Sequence, residues 1–294
     1  MSAALATRGL GKRYGHRWAL TNCTLEVPAG HVAGLVGANG AGKTTLLHLA
    51  AGLIEPSAGS IAVLGEAVAG TPAQLARIGF VAQETPLYPL LSVADHLRLG
   101  AALNPGWDAP LARARVARLG LDRSQRAGTL SAGARAQLAL TLAIAKRPEL
   151  LILDEPVASL DPLARREFLR ALMEFTAADG VSVVLSSHLV ADLERVCDYL
   201  ILVAEGHVLL SGEIDELLAT HRRLSGPRRD GAGLPASQQL IEASHTARQS
   251  TLLVRTEDPV IDPAWSVAQV SLEDIVLAYM GRRGADAERA GIGR

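Results

Sequence analysis

The stretch HVAGLVGANGAGKTTLLHLAAGL, residues 31–53, constrains the fold more than any other part of the chain. An apolar run, His31 to Val36, leads into a glycine-rich loop, Gly37-Ala38-Asn39-Gly40-Ala41-Gly42-Lys43-Thr44-Thr45. Leu46, Leu49, Ala50 and Leu53 then recur at helical spacing. Strand, glycine loop and helix in that order carry the pattern G-x-x-x-x-G-K-[ST]. The glycines let successive backbone N–H groups converge on phosphate oxygens, and the helix N-terminus adds its partial positive charge. Lys43 is expected to reach the outer phosphates and the Thr44 hydroxyl to bind Mg²⁺. An α/β chain with a parallel sheet is implied, because such sheets hold ligands at the C-terminal ends of their strands.

A second segment, RPELLILDEPVASLDP, agrees with this. The run Leu150 to Leu153 has no polar alternation, which suits a strand covered on both faces of a parallel sheet. Asp154 and Glu155 follow at its C-terminal end. Asp154 is placed to hold Mg²⁺ through water, and Glu155 to orient and deprotonate an attacking water.

Five more residues, polar or aromatic, have local readings of their own. Gln83 in IGFVAQETPLYPLLSV reads as a solvated side chain at a strand end. Ser131 in TLSAGARAQLAL is a helix N-cap whose helix end either is only capped or faces phosphate. His188 in VVLSSHL reads as a satisfied core histidine, and Asp161 before Pro162 as a helix cap. Tyr14 in KRYGHRWAL reads as a half-buried strand aromatic.

Taken in order, these segments resemble the nucleotide-binding subunit of ATP-binding cassette (ABC) transporters over roughly residues 5 to 215. Gly37–Thr45 matches the family's Walker A loop, Gln83 its glutamine loop, and Leu130–Gln137 its signature. Leu150–Asp154 with Glu155 matches Walker B, Ser159–Asp161 the D-loop, and His188 the switch histidine. The resemblance implies ATP and Mg²⁺ as cofactors, Tyr14 stacking on adenine, and His188 bonded to the γ-phosphate. Thr44, Gln83 and Asp154 would serve the metal. Gly37, Ala38, Asn39, Gly40, Ala41, Gly42, Lys43, Thr44 and Thr45 would cradle phosphate. Ser131 and Gly133 would meet nucleotide bound by a second copy, with Asp161 at that interface. The signature departs from the family's Leu-Ser-Gly-Gly-Gln at Ala132 and Ala134. If position 132 needed φ > 0, alanine would cost on the order of 1 kcal/mol.

Composition limits the partners. Lys+Arg number 29 against 30 Asp+Glu, a formal charge of −1, so no charge bias points to nucleic acid. Cys23 and Cys197 match no metal-ligand spacing and read as small packing positions in a reducing compartment. No apolar run approaches the roughly 18 residues of a membrane span. Together with the resemblance, this gives the expectation of a cytoplasmic chain, and the resemblance implies an ATPase, a homodimer or heterodimer, peripheral on the inner face of the membrane through a separate integral permease. Export is the direction implied by resemblance of the helical subdomain and tail to bacterial export ATPases. A soluble non-transport cassette, or a hydrolysis-poor partner in a heterodimer, is the alternative.

Along the chain the expected layout is a nucleotide-binding domain over 1–215, with an N-terminal antiparallel β-subdomain and an inserted helical subdomain about 85–145. Pro105 and Pro110 break the helical part. The arginine-rich segment 216–237 reads as a flexible linker. A small α+β extension over 238–283 follows, with a helix capped by Ser271, and 284–294 reads as a disordered tail.

Overall fold

The structure is a computed structural model and describes residues 3–85, 87–228 and 234–289. The chain separates into two compact units, Met1–Val208 and Leu209–Arg294.

In the first unit, β1 (Ala3–Tyr14) and β2 (Arg17–Pro28) pair antiparallel across a two-residue turn at Gly15 and His16. The strand β3 (Val32–Val36) feeds α1 (Lys43–Ala50). Next come β4 (Ala58–Val63) and β5 (Glu66–Ala67); β4 returns to pair with β1, so the antiparallel sheet runs β2-β1-β4-β5. Helix α2 (Pro72–Ala76) precedes β6 (Ile78–Val81). Helices α3 (Val93–Leu103), α4 (Ala109–Arg118) and α5 (Ala132–Ala145) form the helical part. Pro105 lies beyond the end of α3, as expected of a breaker. Pro110 instead sits in the first turn of α4, where its missing N–H costs nothing.

The chain then alternates β7 (Leu150–Leu153), α6 (Pro162–Asp179), β8 (Ser182–Ser187), α7 (Val190–Leu193), β9 (Tyr199–Ala204) and β10 (His207–Glu213). The large sheet has the order β10-β9-β3-β8-β7-β6, with β3, β6, β7, β8 and β9 joined by parallel pairings. Every residue of β3, β7, β8 and β9 is buried, which explains why β3, β7 and β9 read as apolar runs without polar alternation, while β8 ends in the buried polar pair Ser186-Ser187. One core, including Leu46, Leu49, Leu150 and Ile201, joins this sheet, α1 and the antiparallel sheet. The helical part has its own core of Val93, Leu97, Val116, Leu130 and Leu138.

The second unit contains α8 (Ile214–Thr220), β11 (His221–Pro227), β12 (Gln239–His245), β13 (Gln249–Arg255), β14 (Ser266–Ala268) and α9 (Leu272–Arg289). Its sheet, β12-β13-β11-β14, is antiparallel and closes over Leu224, Leu252, Val254 and Trp265. The segment expected as a linker thus contains a central strand, β11. Its polar sequence hid it: only His221 and Leu224 are buried, and backbone pairing on both sides holds the rest. Residues 229–233 of that segment lie outside the described residues. Ser271 caps α9 as expected, accepting from the Asp274 N–H at 3.1 Å while Asp274 accepts from the Ser271 N–H at 3.0 Å. The helix continues through Arg289, into the segment read as tail; residues 290–294 lie outside the described residues.

Candidate functional site

The glycine loop between β3 and α1 turns tightly because two glycines leave no room for a side chain. A Cβ on Gly37 would stand 2.1 Å from the Val203 carbonyl oxygen. At Gly42, with φ 111°, a Cβ would stand 2.7 Å from both the Ala19 carbonyl oxygen and Leu20 Cδ2. Gly42 is also the N-cap of α1, and no side chain caps that helix or places an acid in its first turn. Its N–H groups remain open to an anion.

Lys43 begins α1 and is only 5 % exposed. Its three ammonium hydrogens are all engaged: Nζ donates to the Gly37 carbonyl at 2.8 Å and the Ala38 carbonyl at 3.3 Å, and pairs with Glu155 Oε1 at 3.1 Å. Glu155 follows β7 and is 9 % exposed. Its second oxygen, Oε2, lies 3.0 Å from His188 Nδ1, just past the end of β8. Burial pushes the Glu155 carboxyl up, but Lys43 and His188 together outweigh it and hold the group below the usual glutamate range. It is an ionised, fully partnered carboxylate.

Glu155 also has φ 44°, a left-handed conformation unfavourable for a residue with a side chain. Ser186 on β8 holds it there: its Oγ accepts from the Glu155 N–H at 2.8 Å and donates to Asp154 Oδ1 at 2.7 Å. Asp154 itself is 1 % exposed. Sequence reading missed Ser186; the polar SSH ending of an otherwise apolar strand is the signal that marks it.

Tyr14, Asn39, Gly40, Gly42, Lys43, Thr44, Thr45, Gln83, Glu155 and His188 line one cleft of about 680 Å³. Arg17, Ala19 and Ala158 line it too and were not anticipated. Tyr14 ends β1 as a half-exposed strand aromatic, and His188 is no buried core histidine: 42 % of its side chain is exposed. Gln83 stands exposed just beyond β6. Ala41 of the loop is buried in the core, its carbonyl accepting from the Gly206 N–H at 2.9 Å.

Ser131, Gly133 and Asp161 are not part of this cleft's lining. Ser131 is the N-cap of α5, its Oγ accepting from the Ala134 N–H at 3.2 Å. Asp161 is the N-cap of α6, accepting from the Leu163 and Ala164 N–H groups, each at 3.0 Å. Both local capping readings therefore hold within the single chain. Ala132 is the first residue of α5 and is not among the residues with positive φ, so the departure from glycine carries no backbone penalty.

A profile of the ABC transporter family matches residues 20–158. The "Phosphonates import ATP-binding protein PhnC 2" of Pseudomonas syringae pv. syringae (strain B728a) is 33% identical over 276 residues, covering 86% of this chain and 98% of its own. The "Lantibiotic transport ATP-binding protein SrtF" of Streptococcus pyogenes is 32% identical over 212 residues, covering 72% of this chain and 91% of its own. A solved "ATP binding subunit of ABC transporter" superposes with a TM-score of 0.65 at 30% identity, over 73% of this chain and 91% of that one. This chain belongs to the ATP-binding subunits of ABC transporters and is an ATPase.

Proposed function

We propose that two copies of the chain, or this chain and a related cassette, close head to tail around two ATP molecules and so drive a separate integral membrane permease. The observation that carries this reading is the triad of Lys43, Glu155 and His188 in a cleft that also holds an uncapped helix N-terminus. Lys43 and His188 hold the γ-phosphate, and Glu155 accepts the proton of the attacking water. Tyr14 stacks on adenine. Because Ser131, Gly133 and Asp161 lie off this cleft, they act from the second copy, Ser131 and Gly133 toward its γ-phosphate.

Thr44, Gln83 and Asp154 form a set of hydroxyl, amide and carboxylate oxygens, hard donors that fit Mg²⁺. When bound, the ion neutralises charge on the outer phosphates. Ser186 keeps the Asp154 carboxylate aligned for it.

No helix among the described residues is long and apolar enough to cross a membrane, which supports peripheral attachment at the cytoplasmic face through the permease. Export is the direction we favour; the import named for the phosphonate relatives is the competing direction, and nucleic acid is not a partner. Residues 1–215 are the nucleotide-binding domain, with the extension over 238–283 in an accessory role. Size-exclusion chromatography of the Glu155→Gln variant with MgATP tests the dimer. A nucleotide-dependent shift to twice the mass is expected. A wild-type chain that stays monomeric while hydrolysing ATP at full rate overturns the reading, and inverted vesicles carrying the permease decide the direction.

A further inference from the structure

We propose that Arg17 contacts the bound nucleotide, forming with Tyr14 a two-part platform beneath the purine base. The inference rests on the reading that the cleft takes ATP. In the β1–β2 pairing Tyr14 stands directly opposite Arg17. Side chains so paired leave the same face of the sheet, with Cβ atoms about 5 Å apart. Both line the cleft that Lys43 and Thr45 also line.

Position along β2 says which end of the nucleotide Arg17 meets. Ala19 lines the cleft as well, and its carbonyl lies where it would crowd a side chain on Gly42, at the start of the phosphate-binding helix. Arg17 lies two residues earlier on β2, across the bulge that the register leaves at Ala19 between the Arg13–Trp18 and Lys12–Leu20 pairs, and it pairs with Tyr14 rather than abutting that helix start. It therefore belongs to the base end.

The neighbouring cations are already committed. Lys12 Nζ sits 5.3 Å from the Tyr14 ring centroid and is anchored by donating to the Glu55 carbonyl at 2.8 Å. It occupies one face of the ring and leaves the other to the base. Arg13 lies over Trp18 at 5.6 Å. Arg17, by contrast, has no ion pair, ring contact or side-chain hydrogen bond among the described residues. A purine is wider than one phenol ring. A planar guanidinium beside the ring extends the stacking surface and adds its attraction to the base's π face.

Calorimetric titration of MgADP into the full-length wild type, Arg17→Ala, Tyr14→Ala and the double variant tests this. Arg17→Ala is expected to raise the Kd about 5- to 30-fold. The double variant is expected to lose less than the product of the two single losses, because without Tyr14 the base no longer rests over Arg17. An Arg17→Ala Kd within twofold of wild type, or losses that multiply in full, overturns the inference and leaves Arg17 a solvated arginine or one that serves the phosphates alone. A wild type that fails to bind MgADP at all overturns the reading of the cleft instead.

Discussion

Replacing Glu155 by glutamine separates proton acceptance from everything else the side chain does. The carboxylate makes two contacts, Oε1 to Lys43 at 3.1 Å and Oε2 to His188 at 3.0 Å. A glutamine has the same length and volume; its carbonyl still accepts from Lys43 and its amide faces the imidazole. The backbone bond from the Glu155 N–H to Ser186 is untouched. What disappears is the group that takes a proton from water. A positioned general base contributes about 10²- to 10⁴-fold to kcat, equivalent to about 3–5.5 kcal/mol of barrier. The expected result of Glu155→Gln is a loss of that size in phosphate release at saturating ATP. ATP affinity should hold or tighten, because phosphate no longer competes with a charged partner for Lys43. Turnover within fivefold of wild type would refute the base assignment. A loss of ATP binding with the turnover would show that the carboxylate matters as a structural partner of Lys43.

Ser186→Ala strips a donor from buried Asp154 and an acceptor from the Glu155 N–H. The two buried groups left unpaired cost about 2–6 kcal/mol together, so calorimetry should show a Tm lowered by about 4–24 °C, together with slower hydrolysis. Ala132→Gly restores the family residue where the structure needs no glycine, so ATPase turnover should stay within about threefold and helix stability should drop slightly; a gain of orders of magnitude would show the natural signature to be crippled. The Glu155 carboxyl is lowered in the nucleotide-free protein, so the stability it contributes is present above the ordinary glutamate range and is lost as pH falls through the lowered value. When phosphate takes Lys43 and His188, burial is left to act alone, so the acid limb of kcat should fall at higher pH than that of kcat/KM; coincident limbs would count against the exchange of partners.

Much of the site was legible because its chemistry is local. The loop Gly37–Thr45 and the pair Asp154-Glu155 carry spacing, residue type and flanking strand together, and the structure brings Lys43 and Glu155 into contact. What stayed hidden depends on pairing across the chain. Ser186 gains its role only because β8 lies beside β7, which sets its hydroxyl between Asp154 and the Glu155 N–H. Arg17 enters the cleft only through the hairpin register opposite Tyr14. The strand β11 was invisible for a related reason: HRRLSGP lacks apolar alternation, and β13 and β14 supply its hydrogen bonds.

The two helix ends assigned to phosphate are built differently, and this explains where the sequence tolerates change. At α1 the end is bare, and Gly42 cannot be replaced without striking Ala19 and Leu20, so the cradle within one chain is rigidly specified. At α5 the Ser131 side chain caps one N–H of the end, that of Ala134, and alanines at 132 and 134 are ordinary helical residues. Gly133 is constrained from behind: a Cβ there would stand 2.9 Å from the Ala164 Cβ. Ala164 in turn donates its N–H to Asp161. The starts of α5 and α6 are thus packed on each other, and Ser131 and Asp161 are presented by one rigid pair of helix ends. On the head-to-tail reading, a second copy meets both residues together or neither. Changes at 132 and 134 leave that pairing intact, whereas a side chain at 133 would displace Asp161 even with Ser131 unchanged.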